Sequence, residues 1–317
     1  ILSGLVGSEM CIRDRCLSKS SDLEIKKDIN SIGMADLQPL TCSLQLGFAD
    51  NLVMSGLEPD LLIGHSLGEF SAVAFAGLLD RKLEFLELMR ERGNEMERAC
   101  KEGEFGMIAV NLTDENMLLK ILAKHSSCFI SNKNSVAQLT ISGKLNELNL
   151  ISQQLKEKGY KATTLRVSGA FHSPLMKGAS LRFKNSLCKA KLNKPCLPVL
   201  SLVDAEYYSD VTEENFNRLS DHMTVPVDLV KAIGKLDKGS YTFINIGPSL
   251  TMEKLVRENR GNPNDTFISL DNGGNPIEDF YSALAELYCI IPNFTPLFSS
   301  KDSSKTIIDS LNSERLA

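Results

Sequence analysis

A serine flanked by glycines is the first residue whose setting points to chemistry. Residues 64–68, GHSLG, match the pattern G-x-S-x-G and lie between an apolar run at 61–63 and an apolar helix predicted to end at Leu79. Such a turn holds a serine hydroxyl clear of the sheet, and the N–H groups that begin the helix can stabilise an oxyanion. The pattern predicts a nucleophilic Ser66, with the Leu67 N–H as an oxyanion donor and a structural His65. The alternative is a tight glycine turn without chemistry.

A serine nucleophile needs a general base, and His172 is the best candidate among the four histidines. It lies in a loop of small residues, SGAFHSP at 168–174, directly before a helix whose start is marked by Ser173 and Pro174. A structural role for His172 stays open, because a single histidine in a loop is more often structural than catalytic. His125 lies at a helix end and His222 in an irregular polar stretch, so neither is favoured as the base.

One arginine lies on the apolar face of a predicted helix. On a helical wheel of residues 80–100, Arg92 falls in the middle of the apolar face, whereas Arg90 points almost the opposite way. A charge in that position must be paired or must serve a ligand, because burying an isolated charge is costly. Arg92 is therefore a candidate ligand-binding residue.

The elements that position these residues alternate between helices and strands. Helices are predicted at 35–54, 69–79, 80–100, 114–124, 144–158, 174–188, 226–236, 250–258 and 276–288, and strands at 61–63, 105–112, 128–131, 137–141, 160–167, 195–202, 241–246 and 267–270. Residues 105–167 follow the βαββαβ order of a ferredoxin-like unit. We expect this small subdomain to interrupt a discontinuous large domain at 16–104 and 168–291. The large domain is expected to be an α/β-hydrolase-like, three-layer α/β fold around a parallel sheet.

Composition excludes several classes of protein. The chain of 317 residues is 43% hydrophobic and 24% charged, which is typical of globular proteins and not of disordered or fibrous ones. The formal net charge of -5 argues against a broad basic face for nucleic acid. No uncharged apolar run approaches the roughly 18–20 residues of a membrane helix. The 8 cysteines form no C-x-x-C pair and the four histidines are scattered, so we expect no metal site.

Both ends of the chain are expected to lie outside the folded body. Residues 1–15, ILSGLVGSEMCIRDR, fit no predicted element and look like translated sequencing adaptor, so we interpret them as non-native. Residues 292–317 are polar and rich in serine and lysine, which predicts a flexible tail. A targeting signal cannot be read from such a start. We expect a monomer in the cytoplasm, or in an organelle matrix if the source is eukaryotic.

Five motifs follow one another along the chain. They are GHSLGEFSA at 64–72, RGNEM at 92–96, NKNS and LTISG within 132–143, GAFHSPLM at 169–176 and NIGPS at 245–249. Together they resemble one family, the malonyl-CoA:acyl-carrier-protein transacylases of fatty-acid and polyketide synthesis. The likeness runs from about residue 35 to 290, and the motifs occur in the family's order and spacing.

The resemblance implies a role for each matching residue. Ser66 would take the malonyl group as an ester, His172 would be the general base, and Arg92 would pair with the free malonyl carboxylate. A guanidinium suits that last role because it can clamp a carboxylate through two parallel hydrogen bonds. Asn134 and Phe171 match residues near the family's substrate site. The implied partners are malonyl-CoA and the phosphopantetheine arm of an acyl carrier protein, with no metal or redox cofactor.

Two departures from the family pattern affect the expected chemistry. The family opens with a strand and a Gly-Gln-Gly loop whose glutamine completes the oxyanion hole, and no such segment is found here; losing one such donor typically costs ~10²–10³ in rate. After Pro226 and Val227, where the family often has a glutamine that helps orient the histidine, this chain has Asp228. Asp228 could orient His172 as a triad acid does, or it could simply begin a helix.

Two other functions are kept open. The first is a serine hydrolase or thioesterase, including a patatin-like lipid acyl hydrolase, because Asp271-Asn272-Gly273-Gly274 is similar to the Asp-Gly-Gly of patatins. The second is a truncated, inactive acyltransferase that only binds its carrier protein, which the missing Gly-Gln-Gly loop would explain.

Overall fold

Two β-sheets organise the chain in this computed structural model, which describes residues 2–4, 32–247, 250–292 and 294. The strands are β1 (Leu2–Gly4), β2 (Leu62–His65), β3 (Phe105–Asn111), β4 (Cys128–Ser135), β5 (Gln138–Lys144), β6 (Lys161–Thr164), β7 (Val199–Leu200), β8 (Val227–Asp228), β9 (Thr242–Asn245) and β10 (Thr266–Ser269). The helices are α1 (Met34–Met54), α2 (Leu67–Phe75), α3 (Leu83–Cys100), α4 (Glu115–Leu122), α5 (Leu145–Glu157), α6 (Lys177–Leu187), α7 (Thr212–Asp221), α8 (Leu229–Gly234), α9 (Thr251–Arg260) and α10 (Pro276–Ile290). A short 3₁₀ helix, Pro174–Met176, precedes α6.

The large sheet is parallel and is covered by helices on both faces. Its strand order is β10-β9-β1-β2-β7, and every pair is parallel. All four residues of β2 are buried, as expected for a parallel strand between two helical layers. Leu62 packs with residues of α2, α3 and α6, whereas Ile63 packs with α8 and α9. Because successive strand residues point to opposite faces, the predicted three-layer α/β architecture is confirmed.

The first strand contains residues that we expected to take no part in the fold. Leu2–Gly4 lies between β9 and β2, and Leu2 is opposite Ile63 in the parallel register. Strand pairing uses main-chain groups, so a short segment without proline can form it whatever its side chains. The exclusion of residues 1–15 from the fold is therefore wrong for these three residues. Residues 5–15 lie outside the described parts, and the non-native origin of the segment stays a prediction.

The small sheet has the topology predicted for the inserted segment. Strands β6-β3-β5-β4 are neighbours in that order and pair antiparallel, with α4 and α5 connecting them in the βαββαβ sequence. Ile108 and Ile141 from the strands pack with Leu118 of α4 and Ile151 of α5 in a separate apolar cluster. The element order is confirmed, and the exact division of the chain into domains stays a prediction.

A fifth strand joins the small sheet from the other part of the chain. Strand β8 pairs in parallel with β4, with Asn132 opposite Val227. We predicted residues 132–135 as a connection and residues 226–236 as one helix, and both predictions are wrong at these positions. The physical reason is the pairing itself, because β4 continues to Ser135 with two bulges and β8 takes the segment before α8.

Other boundaries differ for local reasons. Helix α2 ends at Phe75 because the chain turns at Gly77, whose φ is +76°. Strand β7 is shorter than predicted. Helix α7 was not predicted, because its segment, TEENFNRLSD, is mostly polar. Phe294, which belongs to the segment predicted as a flexible tail, is instead buried against residues of α10. The other residues of 293–317 lie outside the described parts.

Helix α3, which carries Arg92, lies very close to the start of α1. A Cβ atom built on Gly93 would lie 2.4 Å from the main-chain oxygen of Met34 and 2.6 Å from the nitrogen of Ala35. Backbone atoms cannot move aside as a flexible side chain can. The glycine therefore permits the distance at which the two helices hold the buried arginine.

We expect Gly93→Ala to lower the free energy of unfolding by about 1–3 kcal/mol, because the added methyl group overpacks this contact. Gly47→Ala is the matched control, since Gly47 lies in the exposed part of α1 with nothing within 4 Å of a built Cβ. The control should be stabilised by about 0.5–1 kcal/mol. Urea unfolding measures both, and equal effects would contradict the close helix contact.

Candidate active site

Ser66 lies at a strained turn between β2 and α2. Its φ of 55° and ψ of -121° belong to a region that residues with a side chain rarely adopt. Gly64 permits the turn, because a Cβ there would lie 2.1 Å from the main-chain oxygen of Gly68. Such strain persists only where the surrounding structure enforces it. The predicted strand–turn–helix around Ser66 is therefore present.

The hydroxyl of Ser66 meets the predicted base. Ser66 Oγ lies 2.8 Å from His172 Nε2, and His172 Nδ1 lies 2.9 Å from the main-chain oxygen of His222. A carbonyl oxygen only accepts, so His172 Nδ1 carries the proton and Nε2 is left to accept the serine hydroxyl hydrogen. His172 also has a positive φ of 56°, which aims its ring from the loop before α6. The structure thus brings the two residues together across 106 positions of sequence.

The surroundings of His172 keep it neutral. Burial is the main cause that lowers its pKa well below the usual value, and His222, Arg92 and His65 lower the pKa further. The hydrogen bond to the His222 carbonyl acts in the opposite direction and raises the pKa. A neutral imidazole is the form that can accept a proton from serine.

Arg92 is almost completely buried beside this pair. It is 1% exposed, whereas Arg90 on the same helix is exposed and lies near Asp36, as the helical wheel predicts. Its Nη1 donates to Gln38 Oε1 at 2.9 Å, and its Nη2 lies 3.4 Å from His222 Nδ1. Its guanidinium carbon also lies 5.0 Å from the centre of the Phe70 ring. These contacts fix the arginine from three sides.

A buried carboxylate, which the sequence analysis did not single out, completes the charged site. Glu69 is 0% exposed, and its carboxylate accepts hydrogen bonds from Tyr208 Oη at 2.8 Å and Leu202 N at 3.1 Å. The oxygen that accepts from Leu202, Oε2, also lies 3.5 Å from His222 Nε2. Burial would raise the pKa of Glu69, but the interaction with His222 and the hydrogen bonds from Ser201 and Leu202 outweigh it and lower the pKa. A signal was available, because Glu69 interrupts an apolar helix in the way Arg92 does.

Asn134 links the small sheet to the turn that carries the nucleophile. Its Oδ1 lies 3.3 Å from Nε2 of His65, the residue before Ser66. Its Nδ2 donates to Gln138 and Thr140 at 3.1 and 3.2 Å. The amide is therefore engaged within the protein, and the substrate-binding role that the resemblance implies for Asn134 stays a prediction.

Two further residues of the expected site are placed as follows. Leu67 begins α2, so its main-chain N–H is at the helix N-terminus, while its side chain is 1% exposed in the core. Phe171 is 9% exposed and packs in the same large apolar cluster. Gly169 lies so close that a Cβ there would be 2.3 Å from the Phe171 ring. Their roles toward substrate stay predictions.

Of the two roles left open for Asp228, the contacts in the structure support the one at the start of a helix. The Asp228 carboxylate accepts a hydrogen bond from Lys231 N at 2.8 Å and so caps the N-terminus of α8. The group that holds His172 Nδ1 is instead the main-chain carbonyl of His222. A capping aspartate and a triad acid cannot be told apart from sequence position alone.

Comparison with known families identifies the chain. A model described as the acyl transferase domain matches residues 21–265, which is more than half of the chain. The chain belongs to this acyltransferase family. The match spans Ser66, Arg92, Glu69, His172 and His222.

Relatives of this acyltransferase include both single enzymes and parts of large synthases. The malonyl CoA-acyl carrier protein transacylase of Bacillus subtilis is 32% identical over 248 residues, covering 76% of this chain and 78% of the relative. One polyunsaturated fatty acid synthase polypeptide of Thraustochytrium is 30% identical over 249 residues, covering 76% of this chain but 8% of that protein. The crystal structure of a malonyl CoA-acyl carrier protein transacylase from Clostridium perfringens superposes with a TM-score of 0.74 at 26% identity, covering 90% and 92% of the two chains.

Two absences hold for the described residues of the acyltransferase. Within them, no cluster of three or more histidine, cysteine or carboxylate side chains is arranged to hold a metal ion. In the same residues, no helix combines the length and apolarity that crossing a membrane requires.

The buried His65 predicts a defined dependence of stability on pH. Burial is the main cause that lowers the His65 pKa from 6.5 to about 4. Between these values the unfolded chain binds the proton and the folded protein does not, so the free energy of unfolding rises with pH. This contribution is present above pH 6.5, is lost as the pH falls through 4, and amounts to about 3 kcal/mol for such a shift.

We expect His65→Gln, which keeps an amide donor but cannot titrate, to lose about 3 kcal/mol of this pH dependence. Urea unfolding of the variant and of the unmodified protein at pH 4 and pH 7 measures it. Identical pH profiles for the two proteins would contradict the buried, neutral state of His65.

Proposed function

We propose that this acyltransferase moves a malonyl group from malonyl-CoA to the phosphopantetheine thiol of an acyl carrier protein, through an ester on Ser66. The observation that carries the proposal is the 2.8 Å contact between Ser66 Oγ and a neutral His172 whose other nitrogen is held by a carbonyl. The buried Arg92 beside this pair supports a carboxylated acyl group. Similarity to the transacylase of Bacillus subtilis supports the same reaction class.

In the first half of the reaction, His172 Nε2 takes the hydroxyl proton of Ser66 as the oxygen attacks the malonyl thioester carbonyl. The new carbon–oxygen bond makes a tetrahedral oxyanion, for which the Leu67 N–H at the start of α2 is a donor. When the intermediate collapses, the carbon–sulfur bond breaks and the imidazolium returns the proton to coenzyme A, which leaves as a thiol. The His222 carbonyl stabilises the imidazolium in between.

The second half reverses these steps with a different thiol. The phosphopantetheine thiol gives its proton to His172 as its sulfur attacks the ester, and the proton returns to Ser66 when the ester bond breaks. Both halves require the same short contact between serine and histidine. A single base therefore serves two acyl transfers.

Arg92 accounts for a preference for malonyl over acetyl groups. A malonyl group carries a free carboxylate that can satisfy a buried guanidinium, whereas an acetyl group cannot. Burying a cation without an acidic partner in the bound complex is costly, so the difference between the two acyl groups is large.

The contacts of the base favour this reaction over the hydrolase alternatives. A serine hydrolase triad places a carboxylate on the second histidine nitrogen, whereas His172 has the neutral carbonyl of His222 there. A patatin-like dyad would pair Ser66 with Asp271, but Asp271 accepts a hydrogen bond from Gly273 in a turn after β10. The strained turn and the assembled base also argue against an inactive carrier-binding protein, since both are costly to keep without chemistry.

We expect Ser66→Ala to abolish covalent malonyl labelling, because no hydroxyl remains to form the ester. The matched control is Ser71→Ala, which removes a buried hydroxyl from the same helix that only donates to Gln45. Intact mass after incubation with malonyl-CoA should show one malonyl group on the control and none on the Ser66 variant. Labelling of the Ser66 variant would contradict the assigned nucleophile.

We expect Arg92→Ala to lower the ratio of malonyl to acetyl transfer on the order of 100-fold, the scale of losing one partner of a buried charge pair. Arg90→Ala is the control, because Arg90 lies exposed on the same helix. Transfer rates from malonyl-CoA and acetyl-CoA to carrier protein give the ratio. An unchanged ratio in the Arg92 variant would remove the proposed carboxylate site.

A further inference from the structure

The side chain of His222 lies between two buried charges, although the proposed reaction uses only its main-chain carbonyl. His222 is 0% exposed. Its Nδ1 is 3.4 Å from Arg92 Nη2, and its Nε2 is 3.5 Å from Glu69 Oε2. The imidazole therefore bridges a cation and an anion inside the core.

The chemistry of these partners determines where the ring proton lies. A guanidinium has donors and no acceptor, so His222 Nδ1 must present its lone pair to Arg92. The proton of the neutral ring then lies on Nε2 and faces the Glu69 carboxylate. Burial is the main cause that lowers the pKa of His222, with Arg92 lowering it as well and Glu69 raising it.

The far end of this bridge is firmly anchored. Glu69 is held by Tyr208 and by the main-chain nitrogen of Leu202, both outside α2. The His222 ring also packs edge-on to Phe70, with ring centres 5.3 Å apart. The guanidinium of Arg92 lies over the same phenyl ring. A chain of contacts from Glu69 through His222 to Arg92 thus limits the rotamers of a long, flexible side chain.

We propose that the side chain of His222 is a positioning residue that orients Arg92, and so sets the preference for acyl groups that carry a carboxylate. This inference rests on the proposed function, because it explains how the proposed carboxylate-binding arginine is held ready. A guanidinium that is fixed before substrate arrives loses less conformational freedom on binding. One residue then holds the base through its main chain and the arginine through its side chain.

Two variants of matched shape test the role of the Nδ1 atom. His222→Asn places an amide oxygen where Nδ1 lies, and His222→Leu places a methyl group there. Both lose the contact with Glu69 and both keep the main-chain carbonyl that holds His172. The difference in activity between the two variants therefore measures the contribution of the hydrogen-bond acceptor that faces Arg92.

We expect His222→Leu to lower kcat/KM for malonyl-CoA by about 10- to 100-fold, the scale of one hydrogen bond to a charged group. Acetyl transfer should fall by a smaller factor, because an acetyl group has no carboxylate for Arg92. Any effect of the substitution on the serine–histidine pair is shared by both substrates, so the ratio of malonyl to acetyl transfer reports the effect on Arg92. His222→Asn should restore most of the malonyl preference. If the role of His222 were purely structural, kcat/KM would fall by the same factor for malonyl-CoA and acetyl-CoA, and equally in the two variants. That result would overturn the proposal.

A second measurement needs no variant. The chain has four histidines, so their ring nitrogens can be followed by ¹⁵N NMR in the unmodified protein. We expect His222 to be neutral with its proton on Nε2. A proton on Nδ1 would overturn the proposal even if both variants failed to fold, because that nitrogen could not then accept from Arg92.

A different result would contradict the proposed function itself. If the unmodified protein forms no malonyl adduct at Ser66, the reaction assigned to the site is wrong. If it forms the adduct but His222→Leu keeps the full malonyl preference, only the role of His222 is wrong.

Discussion

Two full charges, Arg92 and Glu69, lie in the same core, and the site depends on how their burial is compensated. An isolated charge in a protein interior is strongly destabilising, so each must have partners that are fixed in place. Glu69 has them in Tyr208, Leu202 and His222. Arg92 has them in Gln38, Phe70 and His222. Because these partners come from several elements, satisfying the two charges also determines where α1, α2 and α3 must lie around the nucleophile.

The same electrostatics determines the state of the base. Arg92 and the neighbouring histidines disfavour a positive charge on His172, so the ring is neutral until it takes the serine proton. The group behind it is a carbonyl dipole and not a carboxylate, which orients the ring without adding a further charge to the core. In the proposed reaction, a bound malonyl carboxylate would offset the charge of Arg92. That compensation would make the imidazolium easier to form when the correct substrate is present.

Local patterns made part of the site predictable from sequence. The glycines around Ser66 and the small residues around His172 are needed for the turns themselves, so they mark these positions without any knowledge of distant contacts. The wheel of α3 likewise distinguishes Arg92 from Arg90. The βαββαβ order of the insert and the parallel sheet followed from the alternation of elements. These features depend on residues near each other in sequence.

Contacts between residues far apart in the sequence were not predictable. Glu69 is separated by 133 and 139 positions from the groups that stabilise its carboxylate, so its own segment shows only an acid in an apolar helix. The sequence left two roles open for Asp228, because a helix-capping aspartate and a triad acid both need an acid at this place. Strand β8 was missed because two residues of strand form only where β4 offers an edge.

Strand β8 has a mechanical consequence for the base. It follows closely after His222, whose carbonyl holds His172, and it is hydrogen-bonded to the edge of the small sheet. The small sheet also holds His65 through Asn134, on the other side of Ser66. Both halves of the serine–histidine pair are therefore tethered to one sheet. A rigid-body rotation of that sheet would strain the two tethers at once, so the orientation of the small sheet and the alignment of the serine–histidine pair are coupled.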